Sequence, residues 1–424
     1  MKRIHRYFIF FILFTCSMSA QKNQITVIEV LGAKKTKICF INKLLISKVN
    51  QPLDSLQLNT DISTLKRLPG ISNAHYKVQH ISFNDYKVTI HLEENFTLIP
   101  IINVWTTTNK RLAYKVGLFE YHFLGSNITL GGFYQYNGFD TYAFTIKYPN
   151  LFSRKIGLEI NYQNWKSEEP LYFQNSSANY LYNNVSLEML GLYEVNFNHQ
   201  LQLGLSLFNE KYSFLSGEIP ASIPAALDLN KRLLKLVYQY DNLNYHFQYV
   251  EGFKSVFYGQ YVQSSSRYQS DFLIAWNDFL YYKRVNKTDN WANRLRVGLS
   301  SNEASPFAPF ALDNQVNLRG VGVLVDRGTG SVVLNSEYRH TFYDTKWLAI
   351  QSVGFVDAGS WRNPGGALSD FIAPKNIKIY SGIGVRLIPK KIHNAIFRID
   401  YGFKLLNEVN SSNGGLVFGI GHYF

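Results

Sequence analysis

Apolar and polar side chains alternate along most of this chain, and the alternation restricts the fold more than any other feature. In residues 141–148 the even positions are aromatic or aliphatic and the odd positions are small or polar. Residues 156–163 and 201–206 repeat the pattern. Because successive side chains of a β-strand point to opposite sides, each segment predicts a strand with one apolar, aromatic face.

Sixteen segments of this kind follow one another after about residue 96. They lie near 100–107, 111–121, 127–136, 140–149, 154–164, 180–190, 201–214, 231–241, 244–260, 268–284, 291–300, 331–343, 346–361, 376–388, 394–406 and 415–424. The turns NGFD (137–140) and DNLN (241–244) are typical of hairpins. A soluble β-domain of this size usually splits into smaller units, and no linker interrupts the pattern.

A lipid bilayer accounts for the apolar face, because its hydrocarbon covers apolar side chains. Charged residues are excluded from that face, since a Lys or Arg there costs about 2–4 kcal/mol at the bilayer midplane. Open sheet edges are not tolerated there, so the strands must close. An even strand number is typical of bacterial barrels. We therefore predict a mainly β protein, with a 16-stranded antiparallel transmembrane β-barrel over residues 97–424.

The start of the chain predicts export. Lys2, Arg3 and Arg6 precede an apolar run at 7–14, which is too short for a spanning helix. Together they predict a signal peptide over residues 1–20. Lipidation of Cys16 is an alternative, although Phe14 and Thr15 fit a lipobox poorly. The formal charge of +13 is then expected to face the anionic headgroups of the bilayer and lipopolysaccharide or to line a basic lumen, with no nucleic acid as partner.

Residues 21–96 predict a small α+β domain ahead of the barrel. A strand at 24–31 precedes a helix at 38–49 with Ile38, Ile41, Leu45 and Val49 on one face, and a second helix carries Leu58, Ile62, Leu65 and Leu68. Two strands near 71–80 and 86–93 complete the order β-α-α-β-β. Without the signal peptide only Cys39 remains, so no intrachain disulfide is expected and Cys39 is interpreted as a small core residue.

This domain resembles a POTRA domain in element order and in two segments. They are GAKKTKICFINKLL (32–45) and LKRLPGISNAHYKV (65–78). The resemblance implies one periplasmic POTRA-like domain and a barrel in the outer membrane.

The connection at 301–330 is long and lacks periodicity, which is typical of a functional loop. It contains NLRG (317–320), and NSEYR (335–339) and GFVDAGSW (354–361) follow. These motifs resemble the BamA, TamA and two-partner-secretion superfamily, as do 119–132 and 148–152. In that superfamily the sixth loop carries an Arg-Gly tip that folds back into the lumen and is held by acidic residues. The implied lumen network is Leu318, Arg319, Gly320, Glu337, Phe355, Asp357 and Gly359.

Charge considerations favour the same roles. If Tyr338 faces lipid, Glu337 faces the lumen, and Asp357 is excluded from the lipid face by the same cost. Arg319 in a narrow lumen needs partners, because an unpaired buried charge costs about 3–5 kcal/mol. The alternative is that Arg319 is a solvated loop residue and that the two acids only line a wet pore.

The chain ends GGLVFGIGHYF, and this terminal aromatic strand resembles the assembly signal of outer-membrane barrels, with His422 in an unusual position. With strand 100–107 it is predicted to form the barrel seam. The residues assigned to it are Leu416, Phe418, Ile420 and Phe424.

No catalytic or metal-binding motif is present: GxSxG, HExxH and Cys/His clusters with metal spacing are absent from the sequence. We therefore expect neither an enzyme nor a cofactor, although barrel proteases and lipases exist. The resemblance implies a factor that inserts or translocates outer-membrane or secreted protein clients by strand pairing, with accessory assembly subunits as further partners. A dedicated two-partner-type secretion pore and a passive porin-like barrel are the alternatives. A single POTRA domain is fewer than either an assembly factor or a secretion pore usually has.

Overall fold

The structure is a computed structural model that describes residues 23–106, 112–173, 176–246, 248–264, 270–303, 309–312, 317–321, 326–392, 396–405, 414–421 and 424. The predicted signal peptide, Cys16 and His422 lie outside these residues. The chain divides into two compact units, Met1–Glu94 and Asn95–Phe424.

The first unit has the predicted β-α-α-β-β order. Its elements are β1 (Gln24–Leu31), α1 (Ile38–Leu44), α2 (Ser55–Lys66), β2 (Ile71–Ser82) and β3 (Asp85–Glu94). The sheet order is β1-β3-β2, with β1 parallel and β2 antiparallel to β3. The helices pack their buried side chains, among them Ile41, Leu58 and Leu65, against this sheet.

The first helix is shorter than predicted, and the assignment of Cys39 to the core was wrong. The chain leaves the helix at Leu45 because buried Asp61 of α2 accepts the backbone N–H groups of Ile46 and Ser47 at 2.7 and 2.9 Å. Phe40, Ile41 and Leu44 form the buried face of α1. Cys39 lies on the other side and is exposed, as are Ile38 and Val49.

The second unit is the predicted 16-stranded sheet, and every strand pairs antiparallel with its neighbour. Its strands are β4 (Leu98–Thr106), β5 (Leu112–Phe123), β6 (Ile128–Tyr136), β7 (Asp140–Tyr148), β8 (Ile156–Tyr172), β9 (Ser177–Glu194), β10 (His199–Gly217), β11 (Ala226–His246), β12 (Tyr249–Ser264), β13 (Phe272–Arg284), β14 (Asp289–Ser300), β17 (Gly330–Asp344), β18 (Leu348–Arg362), β19 (Ile377–Pro389), β20 (Phe397–Lys404) and β21 (Gly414–Ile420). Between β14 and β17, a short hairpin is formed by β15 (Phe310–Leu312) and β16 (Asp326–Gly328). Two 3-10 helices, Leu368–Ile372 and Pro374–Asn376, connect β18 to β19.

The first and last strands of this sheet, β4 and β21, lie beside each other. Among the described residues, no backbone ladder joins them. The sheet is therefore a nearly closed barrel with a seam at β4 and β21.

The two faces of the barrel strands differ as the alternation predicts. Phe144, Leu203 and Leu205 point outward with more than half of their surface exposed, at 57%, 54% and 58%. Thr141 and Ser206, at inward positions of the same strands, are buried. No helix in the described part of the chain is long and apolar enough to cross a membrane.

Two local predictions were wrong. Residues 241–244 lie inside β11, which runs to His246, because Asp241 and its neighbours pair with β12 instead of turning. The last strand ends at Ile420, where Gly421 takes a φ of +99°. Strands β8 to β11 are longer than the alternation indicated and extend to Tyr172, Glu194, Gly217 and His246.

Candidate functional site

Strands β17 and β18 place the predicted acidic residues side by side on the inner face. In their antiparallel register Asn335 is opposite Asp357 and Glu337 is opposite Phe355. All four side chains are buried. The outward neighbours Tyr338 and Val356 are exposed. The period of two therefore places both carboxylates on the inner side of one wall.

The segment 317–321 lies against this wall, and Arg319 makes a bidentate contact with Asp357. Its Nε and Nη2 donate to Oδ2 and Oδ1 of Asp357 at 2.8 and 2.9 Å, and its backbone N–H donates to Oδ2 at 3.0 Å. The guanidinium is fully buried. Paired, parallel hydrogen bonds of this kind fix orientation as well as charge. Arg319 is therefore not a solvated loop residue.

Further contacts complete the surroundings of Arg319. Nη1 donates to Glu337 Oε2 at 2.6 Å, and the guanidinium carbon lies 3.6 Å from the centre of the Phe355 ring. Asn335 donates from Nδ2 to the carbonyl of Asn317 and to Asp357 Oδ1, both at 2.8 Å. One asparagine thus binds both the loop and its acidic partner.

Four ionic residues of this cluster were not identified from the sequence. Arg339 lies on β17, Arg386 on β19, and Arg398 and Asp400 on β20. Arg386 Nη1 donates to Asp400 Oδ1 at 2.6 Å and its Nη2 lies 3.5 Å from Glu337 Oε2. Arg339 Nε donates to the other oxygen of Glu337 at 2.5 Å, and Arg398 Nη1 lies 3.6 Å from Asp400 Oδ2.

The signal for these residues was present in the alternation. In FRIDYGF (397–403) the odd positions are apolar and point outward, so Arg398 and Asp400 must face inward. The same rule places Arg386 inward between Val385 and Leu387. A polar residue between two outward apolar ones therefore marks the inner face of this barrel.

Glycines let the loop approach the wall closely. Gly320 has a φ of +92°, and a Cβ on it would lie 2.5 Å from the carbonyl oxygen of Gly402 on β20. A Cβ on Gly402 would lie 2.3 Å from the carbonyl oxygen of Arg319. At Gly359, the second glycine that the sequence predicts here, a Cβ would lie 3.1 Å from Leu318, which is fully buried. Side chains larger than hydrogen at 320 and 402 would push the segment away.

The loop is also held at its base and at its hairpin. Arg362 Nε and Nη2 donate to Thr329 Oγ1 and to the carbonyl of Ser300 at 2.9 and 2.7 Å, and Nη1 pairs with Glu303 at 2.9 Å. Phe310 of β15 packs edge-on against Trp276 of β13, with 6.5 Å between the ring centres. The segment is therefore attached to the barrel at three places.

The wall formed by β6 to β13 leaves space beside the loop. A cavity of about 540 Å³ is lined by inward residues of these strands, including Tyr182, Asn184, Glu188, Glu210, Lys231 and Lys235. Lys235 pairs with Glu188 at 3.0 Å, and Lys231 pairs with Glu210. Among the described residues no group of three or more His, Cys, Asp or Glu is placed to hold a metal ion.

The predicted seam residues separate into two sets. Leu416 and Phe418 of β21 point outward and are exposed, and Ile420 is half-buried. Phe424 does not continue the strand but packs with the inner cluster of Leu243, Val250, Tyr282 and Ala292. The guanidinium carbon of Arg294 lies 5.6 Å from the centre of its ring.

A 16-stranded barrel with an apolar outer face, a seam and a loop bound to its inner wall defines a β-barrel of the outer-membrane type. No sequence-family model and no curated protein matches the chain. Solved structures do match. BamA from Haemophilus ducreyi lacking POTRA domains 1–3 has a TM-score of 0.60 at 15% identity, covering 94% of this chain and 84% of that one.

CdiB from Acinetobacter baumannii has a TM-score of 0.62 at 11% identity, covering 95% of this chain and 74% of the other. CdiB from Escherichia coli has a TM-score of 0.63 at 10% identity, covering 94% and 76%. The chain has the fold of the BamA and CdiB barrels.

Proposed function

We propose that this protein is an outer-membrane factor that inserts or translocates other proteins by strand pairing, with its POTRA-like unit in the periplasm and no catalytic role. The observation that carries the proposal is the seam, since β4 and β21 are neighbours without a backbone ladder among the described residues. Unpaired N–H and C=O groups at such an edge are a template for another strand.

The lumen network supports the same proposal. A passive pore needs no fully buried arginine, whereas Arg319 holds the segment 317–321 against β17, β18 and β20. We propose that this attachment keeps the loop in the barrel while the seam admits a client strand. In the first unit, β2 forms an edge of the sheet and offers the same kind of pairing.

Main-chain hydrogen bonds are the expected source of client binding, because every polypeptide presents the same backbone groups. Clients of differing sequence then bind without a specific pocket. The partners we propose are unfolded outer-membrane or secreted proteins, with the bilayer and lipopolysaccharide around the barrel and accessory assembly subunits beside it.

A dedicated secretion pore is the second candidate function. The polar cavity of about 540 Å³ beside the loop favours it, because an extended chain needs a wet path through the barrel. A porin-like barrel is the third, and the attached loop disfavours it.

Depletion of the protein followed by quantitative proteomics of the outer membrane separates the three. We expect a broad loss of barrel proteins. Loss of one exported protein with intact barrels would favour the secretion pore, and an unchanged proteome would contradict both proposals.

Site-specific crosslinking tests the seam itself. A photoreactive residue at Leu416 or Phe418, which are exposed on β21, is expected to capture newly exported proteins. The same residue at Leu203, exposed on β10 far from the seam in strand order, is the control. Equal capture at 203 and 416 would contradict pairing at the seam.

A further inference from the structure

The two rims of the barrel differ in charge. One rim carries the short connections that follow β5, β7, β9, β11, β13, β17 and β19, and we call it the short-turn rim. Its described turn residues include six basic side chains, Arg154, Lys155, Lys287, Lys346, Lys390 and Lys391, and no acidic one. The described connections of the opposite rim carry the acidic residues Glu218, Asp271, Glu303 and Asp370 and the exposed Lys375.

Three consecutive turns concentrate this charge. The turns 285–288, 345–347 and 390–392 follow β13, β17 and β19, and they are neighbours along this rim because the strand order is β13-β14-β17-β18-β19-β20. The last two turns are in contact, since the backbone N–H of Lys390 donates to the carbonyl of Trp347 at 2.9 Å, and the first contacts β17, since the N–H of Thr341 donates to the carbonyl of Thr288 at 2.9 Å. Lys390 also pairs with Asp344, so its charge is compensated.

The remaining cations of this region have no carboxylate partner among the described residues. Lys287, Lys346 and Lys391 are exposed on the turns, and Lys283 is exposed at the outward position one strand-step from Tyr281. Between them stand two exposed apolar side chains, Val285 at 48% and Trp347 at 60% exposure. We call these six residues the basic rim patch: Lys283, Val285, Lys287, Lys346, Trp347 and Lys391.

The patch is continuous with the outward apolar face of the barrel. Lys283 pairs with Trp291 across β13 and β14, and Trp291 pairs with Tyr338 on β17. Trp291, Tyr281 and Tyr338 are all exposed outward. Whatever covers the patch therefore also contacts the surface that faces hydrocarbon. Tryptophan at such a border is typical of the membrane–water interface, and lysine stems extend along it towards headgroups.

We propose that the basic rim patch binds the headgroups of anionic phospholipids in the leaflet at the short-turn rim. Phosphodiester oxygens at headgroup depth complement four uncompensated lysines, and polybasic segments beside a membrane are attracted in this way. A lipid contacts the lysines with its phosphate and the outward face with its acyl chains at once. A soluble acidic partner offers only the first of these contacts.

The test uses the full chain in nanodiscs that contain spin-labelled phosphatidylglycerol or spin-labelled phosphatidylcholine at the same mole fraction. Electron spin resonance reports the fraction of lipid immobilised by the protein. We expect the wild type to immobilise a larger fraction of phosphatidylglycerol than of phosphatidylcholine. We expect this preference to fall at least threefold in a quadruple variant with Lys283→Gln, Lys287→Gln, Lys346→Gln and Lys391→Gln. Trp347→Ala is expected to weaken it less.

The matched control removes the same charge elsewhere, through Lys34→Gln, Lys37→Gln, Lys66→Gln and Lys77→Gln on the exposed surface of the first unit. A heat-modifiability gel shows that each variant keeps its barrel. The proposal is overturned if the wild type shows no preference, if the control loses the preference equally, or if the rim variant retains it. Stronger retention of lipopolysaccharide than of phosphatidylglycerol at the patch would also overturn it. The outcome does not depend on whether the protein assembles others.

Discussion

The two walls of the barrel interior handle charge in opposite ways. On β17 to β20 the ionic side chains that surround Arg319 are buried, and glycines bring the loop backbone into direct contact with the wall. On β6 to β13 the ion pairs line an open cavity, and Lys235 keeps a fifth of its side chain exposed. The Lys235–Glu188 pair of the second wall is therefore partly open to solvent, whereas the guanidinium of Arg319 on the first wall is surrounded by protein groups. The first wall therefore holds the loop in one position, whereas the second wall leaves space in which a chain segment can move.

The largest expected effect comes from removing an acid of the buried wall. Asp357→Ala leaves the Arg319 guanidinium and the Asn335 amide without their main partner, and we expect a loss of about 3–5 kcal/mol in the free energy of unfolding. Urea unfolding in bilayers measures it. In a Cys39→Ser background, a cysteine at Leu318 is expected to become reactive to maleimide in the same variant.

Asp228→Asn is the control for that change. Asp228 pairs with Lys211 at 2.9 Å, and both side chains are more than half exposed. An exposed pair contributes at most about 1 kcal/mol. If both variants lost the same stability, burial would not be the source of the difference.

A smaller effect is expected from filling the space between loop and wall. Gly402→Ala places a methyl group on the carbonyl of Arg319, and overpacking of this kind costs about 1–3 kcal/mol. Gly354→Ala on β18 meets no atom within 4 Å and is expected to leave stability unchanged. Maleimide reactivity at position 318 in both variants tests whether the loop is displaced.

A carboxylate of the first unit extends the comparison to a water-facing site. Glu94 is partly buried, which opposes ionisation, but it accepts the backbone N–H groups of Lys35 and Thr36 at 2.7 to 3.1 Å, and the net result is a lowered pKa. Because the folded pKa lies below the unfolded one, the stabilisation is complete above the unfolded value. It is lost as pH falls through the folded value.

Hydrogen exchange of the Lys35 and Thr36 amides in the full chain measures this dependence. We expect protection to fall on acidification below about pH 4, near the ordinary pKa of glutamate. Glu94→Gln is expected to lower protection at neutral pH by about 1 kcal/mol and to abolish the pH dependence. Protection that is unchanged in the variant would exclude the carboxylate as its cause.

The smallest effect is expected on the open wall. Glu188→Gln removes the partner of Lys235, but water in the cavity solvates the ammonium group, and we expect less than about 1 kcal/mol. Urea unfolding under the conditions used for Asp357→Ala gives the direct comparison. A loss as large as that of Asp357→Ala would mean that the cavity is dry.

Much of the fold was predictable because lipid imposes one rule on every strand. All sixteen barrel strands, the β-α-α-β-β order of the first unit and the inward position of Glu337 follow from alternation and short-range pattern. The end of α1 was not predictable, because it depends on Asp61, which is distant in sequence and reaches Ile46 and Ser47 only in the folded unit.

The candidate site divides in the same way. Local pattern determined which side chains of β17 to β20 face inward, since a period of two leaves no choice once the outward face is apolar. Only the tertiary structure decided that Arg386 and Asp400 join Glu337 in one cluster and that Phe424 turns inward to Tyr282. Register and barrel curvature set those distances, and neither is encoded in any one strand.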